Sequence, residues 1–399
     1  MARLFWSSCL LASIFAVGCN QNSPIAPAGG PSAATTGQSA GSPSQPAAAT
    51  TASEDNQPPA GAQPPVDGEQ AAGGDQLAAN TADSAVADDA ADGGMGVKVD
   101  VDLPEYKATE GVSGTIKSIG SDSMNNLMTF WTQGFQTFYP NVQLEVEGKG
   151  SATAPPALIA GTANFGPMSR EMKKKEADEF ESKYGYQPTA LRTSIDMLAV
   201  YVHKDNPIEG LTLQQIDAIF SKNRKGGYSK DIATWGQLNL SGTWADQAIS
   251  LYGRNSASGT NGYFKEHALF GGDYKDSVKQ LPGSASVVQQ IATNRNAIGY
   301  SGIGYMTADV RAVPLSAEDD GDFVPAVPEK GFSGEYPLSR YLYLYVNYEP
   351  GSDLDPLRRE FIRYIFSSQG QQQVIKDGYL PVDAQTARAA LESVGIAGK

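Results

Sequence analysis

Three short stretches of this 399-residue chain share one construction. They are GSDSM at Gly120–Met124, GKGSAT at Gly148–Thr153 and GRNSASGT at Gly253–Thr260. Each mixes glycine with hydroxyl residues. Glycine lets backbone N–H groups come close to a ligand, and Ser and Thr add O–H donors. Arg254, in the third stretch, carries a planar fork of N–H donors that matches two oxygens of a tetrahedral oxyanion. One such stretch serves equally well as turn and helix cap, since Ser and Asp commonly cap helices. Three in one chain, one of them holding Arg254, point to an anion site.

The elements that must position these loops can be read from hydrophobic spacing. Thr115–Ile119 reads as a strand before the first loop. Asn125–Tyr139 follows as a helix, with Leu127, Met128, Trp131, Phe135 and Phe138 on one face as core. Val142, Leu144 and Val146 alternate as a strand into the second loop. Pro155-Pro156 opens a helix that stops at Gly161. Asn164-Phe165-Gly166 starts another strand, and residues 171–190 are charged and helical. Thr193–His203 is a long apolar strand, and Leu211–Phe220 an amphipathic helix. Ile249–Tyr252 is the strand before the third loop. Val287–Asn294 reads as helix, Ala297–Tyr300 as strand, Leu342–Asn347 as a second long apolar strand, and Pro356–Val374 as helix. Tyr341, Tyr343 and Tyr345 fall on one face of that second strand. This alternation of strand, Gly/Ser loop and helix specifies an α/β sheet with mainly parallel strands. It also places helix N-termini behind the loops, where the backbone field favours negative charge.

Composition narrows the chemistry further. The chain has two cysteines, Cys9 and Cys19, and two histidines, His203 and His267. That excludes a multi-disulfide scaffold and a Cys-based zinc site, and leaves little for a His-based relay. Only these two histidines could serve as base to a serine nucleophile. The patterned part has neither a Gly-x-Ser-x-Gly elbow nor a phosphate-loop Gly-Lys-Ser/Thr. His267, in the helix after the Arg254 loop, reads as a surface or core residue, and Lys149 as solvated or as a source of positive potential.

The net charge of −14 is unevenly spread. Arg3 is the one charged residue before position 20, and residues 20–97 hold nine acidic residues with no Lys, Arg or aromatic residue. Residues 98–399 therefore carry −6, an ordinary value for a globular protein. The acidic Ala/Gly/Ser/Pro stretch cannot bury enough apolar surface to offset its ordering entropy and reads as a disordered tether. As a coil it would span about 50 Å. The acidic balance also argues against nucleic acid as a partner. Residues 1–18 read as a signal peptide ending at Ala16-Val17-Gly18, and Cys19 then sits as in a bacterial lipobox. The departure is Ala16, where Leu is usual; the alternative is ordinary cleavage that leaves Cys19 free. No later apolar stretch reaches transmembrane length, so membrane attachment would rest on lipid at Cys19.

GSDSM, GKGSATAPPAL, NFGPMSREM, TSIDMLAVYVHKDNP, LTLQQIDAIF, GRNSASGT, NAIGYSGIGY and YPLSRYLYLYVN occur in one order. That series, from about Ser113 to Pro381, resembles the phosphate-binding proteins of the Pst-type ABC importer. The resemblance implies a two-lobed type II periplasmic-binding-protein fold with two crossover strands, Asp196–Val202 and Leu342–Asn347. Lobe one would comprise residues 112–200 and 340–399, lobe two residues 201–339, after the signal and a tether over 19–111. It implies an extracytoplasmic monomer that binds phosphate without turnover, needs no cofactor or metal, and hands the anion to a membrane permease. Carried over by position, the phosphate ligands are Ser123, the N–H of Met124, Ser151, Arg254, Ser258, Gly259 and Thr260. Where some members place an acceptor Asp, this chain has Ser169 followed by Arg170, and Asp196 becomes the candidate acceptor. Hydrogen phosphate has a proton to donate near pH 7 and sulfate has none, so a buried carboxylate would favour phosphate. Three points stay open: Asp196 pairs with Arg170 instead, Asp122 is the acceptor or a helix cap, and Arg170 binds the anion or neutralises Asp196. Other functions to weigh are a binder of sulfate, molybdate or tungstate, and a phosphate sensor without transport.

Overall fold

Short apolar strands alternating with amphipathic helices pair here into a ten-stranded sheet and a separate two-stranded one; the large sheet is mixed rather than mainly parallel, because its central strands run antiparallel to their neighbours. The computed structural model describes residues 96–396; the signal segment, Cys19 and the tether as far as residue 95 lie outside them. The first half runs β1 (Thr115–Ile119), α1 (Asn125–Gln136), β2 (Gln143–Glu147), α2 (Ala154–Ala160), β3 (Phe165–Met168) and α3 (Lys174–Tyr184). The long β4 (Thr189–His203) leads to β5 (Leu211–Thr212), α4 (Leu213–Phe220), β6 (Ser250–Arg254), α5 (Gly259–His267), β7 (Lys279–Leu281), α6 (Ser284–Ala292) and β8 (Ala297–Gly302). Then come β9 (Val310–Ala312), β10 (Leu315–Ser316), α7 (Pro328–Ser333) and β11 (Ser339–Val346). The chain closes with α8 (Pro356–Ile365), α9 (Ser368–Lys376), β12 (Leu380–Pro381) and α10 (Ala384–Ser393).

The strand order is β2-β1-β3-β11-β4-β8-β6-β7. β1 pairs parallel with β2 and β3 in one half, and β6 pairs parallel with β7 and β8 in the other. β4 joins the halves. Its residues up to Met197 pair antiparallel with β11, and from Leu198 onward it pairs with β8. The chain returns to the first half just before Ser339, where the Leu198 N–H bonds the Leu338 carbonyl at 3.0 Å. The second crossing therefore falls ahead of Leu342–Asn347, because Tyr343–Val346 are already paired with β3. Within each parallel run the strands share one direction, so the loops that leave β1 and β2 emerge at the same edge of their half. This is what lets three loops converge.

Each half has its own aromatic packing. Phe135 meets Phe361 and Tyr364 in the first half, and Phe264 stacks on Tyr300 at 3.8 Å in the second. Trp131 and Phe135 are fully buried as the helical spacing predicts, whereas Phe138 is half-buried against Tyr106. Tyr341, Tyr343 and Tyr345 do share a face.

Three boundaries differ from the sequence reading. The helix read over residues 171–190 is shorter, Lys174–Tyr184, because Gly185 takes a left-handed conformation and ends it, and the chain is already in β4 from Thr189. Packing begins earlier than Thr115: Leu103 and Tyr106 are buried, with the Tyr106 hydroxyl 2.8 Å from that of Tyr139 and donating to Glu360. Two apolar residues in a polar run carry no periodicity, so nothing flagged them. The helix read over Pro356–Val374 is two helices, because Ser367 accepts from the Gly370 N–H and caps a new start.

Candidate functional site

The three Gly/Ser loops meet between the halves. GSDSM follows β1, GKGSAT follows β2, and GRNSASGT ends β6 and enters α5. Ser123 and Thr260 come within 2.9 Å, Ser151 and Ser169 within 3.2 Å, and Ser169 and Thr260 within 3.5 Å, hydroxyl to hydroxyl. All four are buried. The approach needs glycine twice. A Cβ on Gly259 would lie 2.3 Å from the Ser151 hydroxyl, and one on Gly150 2.6 Å from the Ala257 carbonyl, with Gly150 also at φ +108°. The same carbonyl accepts from the Ala152 N–H at 3.1 Å, which ties the second and third loops main chain to main chain.

The proton inventory orients the cluster. Ser151 accepts from the Ser169 N–H at 3.0 Å, and Ser258, the N-cap of α5, accepts from the Thr260 N–H at 3.1 Å. The Thr260 hydroxyl accepts from Arg340 Nη2 at 2.9 Å, and a guanidinium can only donate. Thr260 therefore has its own proton free to turn toward the other hydroxyls or toward an anion. Met124 is buried, and its N–H donates to the Ser121 carbonyl at 3.2 Å. Tyr379 and Tyr305 donate to the Ser123 carbonyl at 2.7 and 3.3 Å and hold this loop in place.

Arg340 is the residue the sequence reading missed. It stands opposite Asp196 in the β11–β4 ladder, close to where β4 changes partner. Its Nε and Nη2 donate to Asp196 Oδ2 at 3.0 and 2.7 Å, and Nη1 donates to the Ser169 carbonyl at 2.7 Å. Asp196 Oδ1 takes the Ile303 N–H at 3.1 Å. Both side chains are out of water, 2% and 0% exposed. A lone Asp in one apolar strand and a lone Arg in the other were the available signal, because opposite charges in two buried neighbouring strands must find each other.

That pairing corrects two alternatives. Asp196 does not pair with Arg170. Arg170 turns instead to Glu176 in α3, at 2.8 and 2.7 Å through both terminal nitrogens, and so neither neutralises Asp196 nor joins the hydroxyls. Glu176 was hidden by its helix, whose first turn brings it back over the SREM loop. Asp122 does cap a helix, but the helix is α6 of the other half: its Oδ2 accepts from the Ser284 N–H at 2.9 Å.

Arg254 lies on the far side of the first loop. Its Nη2 is 3.2 Å from Asp122 Oδ2 and donates to the Pro282 carbonyl at 2.9 Å, and its Nη1 donates to Ser284 Oγ. Its Nε, buried, has no hydrogen-bond partner among the described residues. Burial lowers its pKa from the usual value, and the Asp122 carboxylate opposes that shift. Asp377 is another buried carboxyl. Its Oδ2 is buried without a hydrogen-bond partner among the described residues, and burial, with Asp196 nearby, pushes its pKa up to about 8. Lys149 is exposed and paired with Glu147; His267 is exposed and stacks on Tyr263 at 4.1 Å. No group of three or more His, Cys, Asp or Glu among the described residues could hold a metal ion, and no described helix is long and apolar enough to cross a membrane.

Two lobes joined by a crossing strand, with polar loops of both lobes meeting between them, define a two-lobed solute-binding protein. Residues 105–369 match the PBP superfamily domain. The phosphate-binding protein PstS of Pseudomonas aeruginosa is 52% identical over 298 residues, 75% of this chain and 92% of that protein. The Bacillus subtilis PstS is 26% identical over 286 residues, 71% of this chain and 86% of the relative. A Clostridium perfringens substrate-binding protein of the phosphate ABC transporter type, solved with bound phosphate, superposes with a TM-score of 0.57 at 26% identity. That match covers 67% of this chain and 99% of the Clostridium chain. The chain belongs to the PBP superfamily and, within it, to the PstS family of phosphate-binding proteins. These are binding proteins and not enzymes.

Proposed function

We propose that this chain is an extracytoplasmic phosphate-binding lipoprotein that delivers inorganic phosphate to an ABC importer. One observation carries the reading: four buried hydroxyls from both lobes form a chain, Ser123 to Thr260 to Ser169 to Ser151, with each link 3.5 Å or shorter, backed by the buried Arg340 and sharing the loop that holds Arg254. In this reading Ser123, Ser151, Ser169 and Thr260 donate to the phosphate oxygens, with the N–H of Gly259 and, once it leaves the Ser121 carbonyl, the N–H of Met124. Arg254 supplies its fork, starting with the Nε that has no other partner. Ser258 acts by capping α5. Arg340, added here, fixes Thr260 as a donor, and Arg170 is left out because its charge is spent on Glu176. Asp196 remains the proton acceptor, since the three bonds it accepts leave one lone pair on Oδ1.

The lobes close on the anion as a ligand-driven population shift. Phosphate then leaves water for fixed donors whose own charges are largely balanced by Asp122 and Asp196, so no broadly basic surface is needed. The closed form is what a permease would read. Lipid at Cys19 and the tether would keep a monomeric receptor within reach of its permease outside the cytoplasm, in the periplasm or at the cell surface. Calorimetric titration of the purified protein with phosphate, sulfate and molybdate tests the reading. One phosphate bound per chain, with sulfate at least about a hundredfold weaker, is expected from a buried carboxylate with one lone pair still open. Sulfate or molybdate binding as tightly as phosphate would make this a receptor for another oxyanion.

A further inference from the structure

Asp122 ties the two lobes together without belonging to the hydroxyl cluster. It sits in the loop after β1, while both of its partners belong to the other half. Its Oδ2 accepts from the Ser284 N–H in the first turn of α6 at 2.9 Å and lies 3.2 Å from Arg254 Nη2. Its main-chain oxygen accepts from the Tyr305 hydroxyl at 3.1 Å. In the sheet, β1 and β6 are separated by β3, β11, β4 and β8, so no strand ladder holds Asp122 against Arg254. The contact exists only while the lobes are together.

We propose that Asp122 is an interlobe latch, a positioning residue that sets how long the closed form lasts and therefore how fast the anion is released. The inference rests on the phosphate-receptor reading above. A carboxylate at a helix N-terminus is favoured by the backbone field, and beside a buried guanidinium it forms a charge-assisted contact. When the lobes part, the carboxylate, the Ser284 N–H and Arg254 must all take up water again. That cost falls on opening. Encounter between phosphate and the open form precedes the contact and is indifferent to it. The opposite role is also physically reasonable: Asp122 could compete with the anion for Arg254, and its removal would then slow release. The two roles differ in sign.

Stopped-flow binding of phosphate to the full chain separates them, using wild type, Asp122→Ala and Asp122→Asn. The latch predicts that Asp122→Ala raises the dissociation rate at least about tenfold and leaves the association rate within about twofold. Asp122→Asn, which keeps an acceptor for the Ser284 N–H but lacks the charge, should fall between. A dissociation rate that is unchanged or lower overturns the latch, as does a loss confined to association. Thermal melting without phosphate guards against a folding defect: the latch predicts a Tm within about 2 °C of wild type, and a much larger drop would make Asp122 merely structural. If wild type binds no phosphate, the receptor reading fails on its own. The latch is then read from hydrogen exchange at the Ser284 amide, protected in wild type and released in Asp122→Ala; equal exchange overturns it.

Discussion

Two arginine–carboxylate pairs flank the hydroxyl cluster, and they are built differently. Arg340 and Asp196 face each other across adjacent strands of one ladder, both fully out of water. Arg254 and Asp122 come from opposite lobes, with Arg254 1% exposed and Asp122 24%. The first pair is part of the fold and persists whatever the lobes do. The second depends on lobe contact and keeps one member partly in water. A binding protein that must open and close needs both kinds: a fixed charge pair to preset its donors, and a conditional one whose breaking can be tuned.

If the pairs differ in this way, their variants should rank in stability. Arg340→Met should cost most, about 3–5 kcal/mol, because it leaves Asp196 buried without a cation. Urea unfolding measures this, and adding Asp196→Leu should restore most of the loss while phosphate binding stays impaired. A single variant as stable as wild type would mean that Arg340 is not part of the fixed frame.

Asp377 tests what a buried carboxyl does with no arginine at all. Its folded pKa of about 8 lies above the ordinary carboxylate value, so the folded state holds a proton that the unfolded state has lost. Its contribution is complete below about pH 4 and is lost as pH rises through about 8, with a slope of up to about 1.4 kcal/mol per pH unit. Asp377→Asn should flatten that slope and stabilise the protein at pH 8 by a few kcal/mol, on the same scale. An unaltered stability profile between pH 4 and 8 would show that water already reaches this group.

Arg254→Ala should have the smallest effect on stability, about 1 kcal/mol or less, since Asp122 would still cap α6 and still meet solvent. Phosphate binding should nevertheless be lost. If this variant unfolds as readily as Arg340→Met, the two pairs are alike and the comparison fails.

Much of this was legible in the sequence, and the reasons for the exceptions are physical. The three loops were visible because glycine beside hydroxyl residues, between a strand and a helix, is what close main-chain approach to an anion requires. Ser123, Ser151, Ser169 and Thr260 were all picked out, and they do come together. Arg340 was not, although it lay in YPLSRYLYLYVN, because strand periodicity says which face a residue occupies and not which strand lies opposite. The same gap hid the Arg170–Glu176 pair, which depends on the return of α3 over its own leading loop. Asp122 was read as a cap, and it is one; that the capped helix belongs to the other lobe is a long-range fact with no local signal. The break at Ser367 was local, but the Phe361, Ile362, Ile365 and Phe366 run masked it by continuing the apolar face.

The most direct test of the receptor site is a crystal structure of the protein with arsenate, a heavier isostere of phosphate whose anomalous signal locates the anion. One arsenate is expected between the lobes, within hydrogen-bond reach of Ser123, Ser151, Thr260 and Arg254, with the Arg340–Asp196 pair unchanged. Arsenate bound elsewhere, such as in the groove lined by Arg170, Tyr263 and Tyr341, with the hydroxyl cluster still bonded only to itself, would contradict it.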